Sequence, residues 1–249
     1  MPLTVAIIGA GPLGRWLALS AARAGYRVLL EDVMPTNLRH AQEFLRQQLG
    51  PEQLAGMLFP AEAAAPSTRT ATQALYQGPT SVGPQEAAKT EGALAPAGTP
   101  APVTQEHSGC VAFVTTIEDA VRQADLAIDC VPDELESKLE ILWLLDRMAP
   151  PRTVLATPTT RLSIADLANC TYRPEKVIAI AAEASALSAG AATEINLRTT
   201  SRTSPETAAL LDQFWRRLGF TPTFAPDPAE PPPPLAPTPP DRQSRDLNT

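Results

Sequence analysis

The chain has 249 residues, a formal charge of −7 at neutral pH and a sequence pI near 4.9. That length is enough to bury a sizeable core, and the acidic balance argues against nucleic acid or an anionic membrane surface as the main partner. No segment approaches the ~18 continuous apolar residues of a membrane span and no basic leader opens the chain, so a cytoplasmic setting is expected.

The first ordered unit is Val5 to Ile8, an apolar run of strand length, followed at once by Gly9-Ala10-Gly11-Pro12-Leu13-Gly14 and an apolar helical pattern from Arg15. The glycine spacing fits G-x-G-x-x-G between a strand and a helix, the setting in which it binds a dinucleotide. Gly9 permits the tight turn, Gly11 lets backbone N–H groups approach a pyrophosphate, and Gly14 lets the helix pack close to the strand. The positive N-terminus of that helix faces the phosphates. The second strand, YRVLLED, ends in Asp32, near the ~20-residue offset at which an acid takes the adenosine ribose hydroxyls. An acid there favours NAD over NADP, because it repels a 2′-phosphate.

Thr36 to Leu49 has apolar residues at helical spacing, with Thr36 or Asn37 as the expected cap and Gly50-Pro51 as the stop. His40 on this helix reads as a surface residue. From about Pro51 to Ser108 the composition turns to Ala, Pro, Thr, Gly and Gln without sustained periodicity. Such a segment buries too little apolar surface to offset its ordering entropy, so a largely disordered insertion is expected. Within it Glu52 to Phe59 extends the preceding helix, Ala71 to Tyr76 is a helical fragment, and His107 is a loop residue.

Order returns with a strand at Val111 to Thr115, a short helix at Ile117 to Gln123 and a buried strand at Asp125 to Val131. Pro132 breaks that strand, and a helix from about Glu134 to Met148 places Leu135, Leu139, Leu142 and Leu145 on its buried face. Strands at Thr153 to Thr157 and Val177 to Ala182 flank a helix at Ile164 to Ala168. Ala184 to Ala192 is small and weakly patterned, and Glu194 to Thr200 reads as an edge strand. Ser204-Pro205-Glu206 opens a helix that Leu218-Gly219 closes, and Phe220 to Phe224 is the last strand. Strand and helix alternate throughout, which predicts an α/β fold of Rossmann type with a mostly parallel, doubly wound sheet. The divisions are 1–50, the first βαβ unit and its helix; 51–108, the insertion; 109–225, the rest of the domain; and 226–249, a disordered proline-rich tail. Cys110, Cys130 and Cys170 share no metal-ligand spacing and read as reduced thiols, with no metal site expected.

These stretches resemble the NAD-binding domain of the 3-hydroxyacyl-CoA dehydrogenases. The matching pieces are VAIIGAGPLG, the strand ending in Asp32, DLAIDCVPDELESK, VLATPTTRLSIADLANCTYRPEKVIAI and TSPETAALLDQFWRRLGFTP. They cover nearly all of the chain outside the insertion and the tail. The resemblance implies cofactor-binding roles for Gly9, Gly11, Pro12, Leu13, Gly14 and Asp32. It adds Asp133 and Lys138, which occupy the acid and lysine places of the family's E-N-L-x-x-K segment.

On the chemical side the resemblance implies hydride transfer from a 3-hydroxyacyl thioester to the nicotinamide, with a histidine as base and a glutamate orienting it. That histidine follows the strand matching Val177 to Ile180, where Ala181 stands here. The orienting glutamate falls near Thr193, Glu194 or Asn196, of which only Glu194 is an acid. In the family's N-T-S-S loop the matching residues are Pro158-Thr159-Thr160-Arg161, and Thr160 keeps a hydroxyl at the serine position. The family continues into a helical C-terminal domain, and the proline-rich tail begins where it would start. The expected function is therefore an NAD(H)-binding protein with impaired catalysis. The alternative is a working oxidoreductase on a 3-hydroxyacyl-CoA or 3-hydroxy acid in fatty-acid metabolism. It would use Glu183 or Glu194 as base, Thr160 on the substrate oxygen, and a partner subunit supplying the helical domain. A third reading is a scaffold that has lost the cofactor as well.

Overall fold

A computed structural model describes residues 3–49, 109–182 and 193–229. The insertion with its two helical pieces, Gly50-Pro51, His107, Glu183, the run 184–192 and the tail from 230 lie outside the described residues.

The elements follow in order: β1 (Thr4–Ile8), α1 (Pro12–Arg23), β2 (Arg27–Glu31), α2 (Pro35–Gln48), β3 (Cys110–Val114), α3 (Ile117–Val121), β4 (Leu126–Asp129) and α4 (Leu135–Met148). Then come β5 (Val154–Pro158), α5 (Ile164–Asn169), β6 (Val177–Ile180), β7 (Glu194–Thr199), α6 (Pro205–Arg217) and β8 (Thr221–Pro226). The strands form one sheet in the order β3-β2-β1-β4-β5-β6-β7-β8. Every neighbouring pair is parallel except β6 and β7, so the mostly parallel, doubly wound expectation holds. The run from Glu194 is not an edge strand: α6 carries the chain over to β8, which pairs parallel to β7 and takes the edge.

Alternate residues of each strand feed two apolar layers, which is why β1, buried along its whole length, reads as a continuous apolar run. On one face Val5, Ile7, Leu17, Leu45, Phe214 and Trp215 pack together, and on the other Ile8, Leu29, Leu142, Leu145, Ile164 and Leu167. Ring contacts of Tyr26 with Phe214 at 5.3 Å and of Trp16 with Phe220 at 5.8 Å tie the chain around α6 to the first βαβ unit. Among the described residues no helix is long and apolar enough to cross a membrane.

Several boundaries differ from expectation for identifiable reasons. α1 starts at Pro12 rather than Arg15, because a proline fits the first helical turn, where its missing N–H is not needed. Neither Thr36 nor Asn37 caps α2; Pro35 opens the helix behind Met34, and the Asn37 amide is used elsewhere. On α4 the buried residues are Lys138, Leu142, Leu145 and Asp146, while Leu135 is exposed. The inward position of the first turns is taken by Lys138, drawn in by an acid on β4. Ser204 caps α6 through the Thr207 N–H, and Gly219, at φ +94°, follows its end. Pro226, placed in the tail by composition, ends β8, and Asp227 beyond it is buried.

Candidate functional site

β1 has β2 on one side and β4 on the other, so the chain direction across the sheet reverses there, the point at which such sheets open a crevice beyond their strand ends. A cleft of about 1000 Å³ lies at this place, lined by Gly9, Gly11, Pro12 and Leu13 from the β1–α1 turn, Asp32 and Asn37 from the β2–α2 side, and residues 130–133, 158–161 and Ala182 from the other strands.

Geometry requires glycine at two positions of the turn. Gly9 has φ +102°, and a Cβ on it would lie 3.2 Å from the Cys130 carbonyl group. A Cβ on Gly14 would sit 1.9 Å from the Gly9 carbonyl oxygen, so only glycine lets α1 close on the turn. A Cβ on Gly11 would meet nothing within 4 Å, and no side chain caps α1. The cleft therefore faces an open helix N-terminus, the arrangement that receives a phosphate. Gly14 does not line the cleft; it acts through this packing.

Asp32 follows β2 and is only 7% exposed. Its Oδ2 accepts the Ala10 N–H at 2.8 Å and its Oδ1 the Met34 N–H at 2.8 Å. The Asn37 amide donates to Oδ1 at 3.1 Å and to Oδ2 at 3.0 Å. Composition and spacing did not single out Asn37 for the site; it stands five residues after the acid, in the first turn of α2. Glu31, buried just before Asp32, has its carboxyl pushed up to about 7, first by burial and then by the Asp32 charge.

Lys138 is fully buried rather than exposed to the cleft. Its Nζ lies 3.1 Å from Asp129 Oδ2 and donates to the Val131 carbonyl at 3.0 Å. Asp129 in turn accepts the Val131 N–H at 2.9 Å and the Thr157 hydroxyl at 3.0 Å. The ion pair thus holds both backbone polar groups of Val131, a residue of the cleft wall, and ties β4 to β5. Burial raises the Asp129 carboxyl, against the pull of Lys138 and three hydrogen bonds. Asp129 was not singled out in the sequence, because one acid inside an apolar strand reads as a satisfied core group.

Asp133 lines the cleft. Its Oδ2 accepts the Thr160 N–H at 3.4 Å, whereas its Oδ1 is buried with no hydrogen-bond partner among the described residues. Thr160 and Arg161 stand opposite, and Arg161 donates to the Asp133 carbonyl at 3.2 Å. Buried Arg198 donates to the Thr159 carbonyl at 2.7 Å and lies 3.8 Å from Asp227. Asp227 accepts the Ser163 hydroxyl and the Ala165 N–H at the start of α5. These contacts brace the 158–163 turn from behind.

After β6, Ala182 lines the cleft and Ala181 does not; the Ala181 N–H donates to the Asn196 carbonyl at 2.8 Å. The antiparallel register of β6 and β7 therefore sets Asn196 opposite Ala181, while Glu194 lies two residues along β7, exposed and away from the cleft lining. His40 is exposed on α2 and likewise outside the lining. Cys130 lines the cleft with a thiol that burial pushes far up. Thus Gly9, Gly11, Pro12, Leu13, Asp32, Asp133 and Thr160 meet at one cleft, and Gly14, Lys138 and Glu194 do not line it.

A dinucleotide fits these residues: an open helix N-terminus for a pyrophosphate, an acid after β2, and an unpartnered buried acceptor on Asp133. A family model for the 3-hydroxyacyl-CoA dehydrogenase NAD binding domain matches residues 4–82 and 83–227. A probable 3-hydroxybutyryl-CoA dehydrogenase of Bacillus subtilis (strain 168) is 26% identical over 174 residues, 70% of this chain and 46% of that protein. A 3-hydroxyadipyl-CoA dehydrogenase of Escherichia coli (strain K12) is 28% identical over 174 residues, 70% of this chain and 28% of its own. The crystal structure of 3-hydroxybutyryl-CoA dehydrogenase from Escherichia coli K12 superposes with a TM-score of 0.62 at 22% identity, covering 91% of this chain and 39% of the other. The chain thus spans less than half the length of each.

Proposed function

Because the chain belongs to the 3-hydroxyacyl-CoA dehydrogenase family through that family's NAD-binding domain, its cofactor is NAD, and we propose that it binds NAD(H) without the family's ordinary thioester turnover. The observation that carries this reading is the contrast across one cleft: the glycine turn after β1, Asp32 after β2 and Asp133 after β4 line it, and no histidine among the described residues does. Bound NAD supplies a hydride acceptor at its nicotinamide. Gly11 and the first turn of α1 hold the pyrophosphate, Asp32 the adenosine ribose, and Asp133 Oδ1 a further hydroxyl of the cofactor.

The resemblance sets a proton-accepting histidine directly after β6, where this chain has Ala181 and Ala182. Methyl groups take no proton. Asn196, the residue opposite Ala181, carries an amide and so cannot lend a charge to a neighbouring imidazolium. The Cys130 thiol stays protonated because burial disfavours its thiolate. Loss of a positioned general base lowers a rate by ~10²–10⁴. The test is NADH oxidation with acetoacetyl-CoA at high protein concentration, with NADH binding followed by fluorescence in the same cuvette. Binding without an ordinary rate is expected, and turnover at an ordinary rate would overturn the reading.

A second reading, an active oxidoreductase, is favoured by Thr160 and Arg161, which bring a hydroxyl and a guanidinium to the cleft. A guanidinium there suits a free carboxylate, hence a 3-hydroxy acid rather than a thioester. NAD-dependent oxidation of 3-hydroxybutyrate that disappears in Arg161→Ala would establish it, and its absence in the unsubstituted chain would exclude that substrate.

A further inference from the structure

We propose that Asn37 is a latch on the ribose acid, one that must release Asp32 before the adenosine ribose can bind. The inference rests on the NAD-binding reading and concerns how that same site opens.

The argument is a count of acceptor positions. An ionised carboxylate offers about four lone-pair directions, two on each oxygen. Asp32 Oδ2 receives the Ala10 N–H and the Asn37 amide, and Oδ1 receives the Met34 N–H and the same amide. Each oxygen already has two donor nitrogens within hydrogen-bond distance, and Asp32 is only 7% exposed. Two hydroxyls of a ribose therefore cannot add to Asp32; they must replace something.

What they replace follows from the geometry. The Ala10 and Met34 donors are backbone groups, at 2.8 Å each, fixed by the β1–α1 turn and the entry to α2. The Asn37 bonds are longer, at 3.1 and 3.0 Å, and belong to one half-buried side chain that itself lines the cleft. Asp32 and Asn37 both line the cleft, and the amide, unlike the backbone donors, can leave the carboxylate by side-chain rotation. Since the two backbone donors already orient Asp32 from both oxygens, Asn37 is not needed to aim it. Its one nitrogen spans both carboxylate oxygens, the place that two ribose hydroxyls would take. The apparent affinity for the adenosine end is then reduced by the fraction of molecules in which the latch is closed.

The test compares the full chain with Asn37→Ala and with Asn37→Ser, whose hydroxyl is too short to span both oxygens. Binding of NADH, ADP-ribose and reduced nicotinamide mononucleotide is measured for each. Removal of the latch should tighten NADH and ADP-ribose by about tenfold, equivalent to about 1.4 kcal/mol, and leave the mononucleotide unchanged. In the unsubstituted chain the Asn37 side-chain amide protons, followed by ¹⁵N NMR, should shift on addition of ADP-ribose and not of the mononucleotide. Unchanged or weaker NADH binding in both variants overturns the latch, as does equal tightening of all three ligands, which would mean a general widening of the cleft. Failure of every form to bind NADH would instead overturn the cofactor reading on which the latch rests.

Discussion

Replacing Lys138 by Met leaves Asp129 ionisable in a fully buried position. The side chains are 1% and 0% exposed and 3.1 Å apart, and removing one partner of such a pair costs about 3–5 kcal/mol. That is a large share of the roughly 5–15 kcal/mol by which a domain is stable. The loss must depend on pH in a definite sense. Burial already holds the Asp129 carboxyl above its ordinary value, with Lys138 opposing, and without Lys138 it rises further. A carboxyl raised in the folded state destabilises only where the unfolded chain would ionise it. The deficit should therefore grow as pH climbs above about 4 and shrink on acidification toward it. Urea unfolding of both forms at pH 5 and pH 8 measures this, with the deficit larger at pH 8. Asp129→Asn combined with Lys138→Met should lose less than the two single losses added together, because neither charge is then stranded. A deficit below about 1 kcal/mol at pH 8, or an equal one at both pH values, would refute the argument.

Glu31→Gln should flatten another pH dependence. A carboxyl raised to about 7 gives stability that is complete below about 4.5 and lost as pH rises through 7, by at most about 3 kcal/mol at ~1.4 kcal/mol per pH unit, so urea midpoints of the two forms should diverge across that range. Gly14→Ala places a methyl carbon 1.9 Å from the Gly9 carbonyl oxygen; α1 must move off the turn, and both the melting temperature and NADH affinity should fall. Asp227→Ala removes the acceptor at the start of α5 and strands buried Arg198, which should cost at least about 2 kcal/mol in denaturant unfolding.

The glycine turn, the acid after β2 and the alternation of strand and helix were legible because each is a local pattern in the sequence. Three features were not, and each depends on how separate elements of the fold meet. The buried pairing of Lys138 with Asp129, on the preceding strand, is one. The register of β6 against β7 was not legible, because the chain between them has no pattern that sets it; the ladder puts Asn196 opposite Ala181. Asp227 looked like the start of a polar tail, since nothing local says that Ser163 and Arg198 converge on it.

The same structure changes which residues argue for a bound cofactor. Gly14 would be kept by packing alone, and Asp32 has backbone donors to satisfy whether or not a ribose ever reaches it. The Asp129–Lys138 pair braces β4 against β5 independently of any ligand. An intact fingerprint is thus compatible with a scaffold that has lost its dinucleotide. Asp133 lines the cleft as well; its Oδ2 accepts the Thr160 N–H, whereas its Oδ1 is buried without a partner among the described residues. An unsatisfied buried acceptor lowers stability by about 1–3 kcal/mol, so an alanine there would be tolerated or favoured if the cleft stayed empty. A ligand hydroxyl that reached Oδ1 would offset that cost, so Asp133→Ala separates the two cases: it should weaken NADH binding if the cleft takes the cofactor and leave stability equal or higher if it does not.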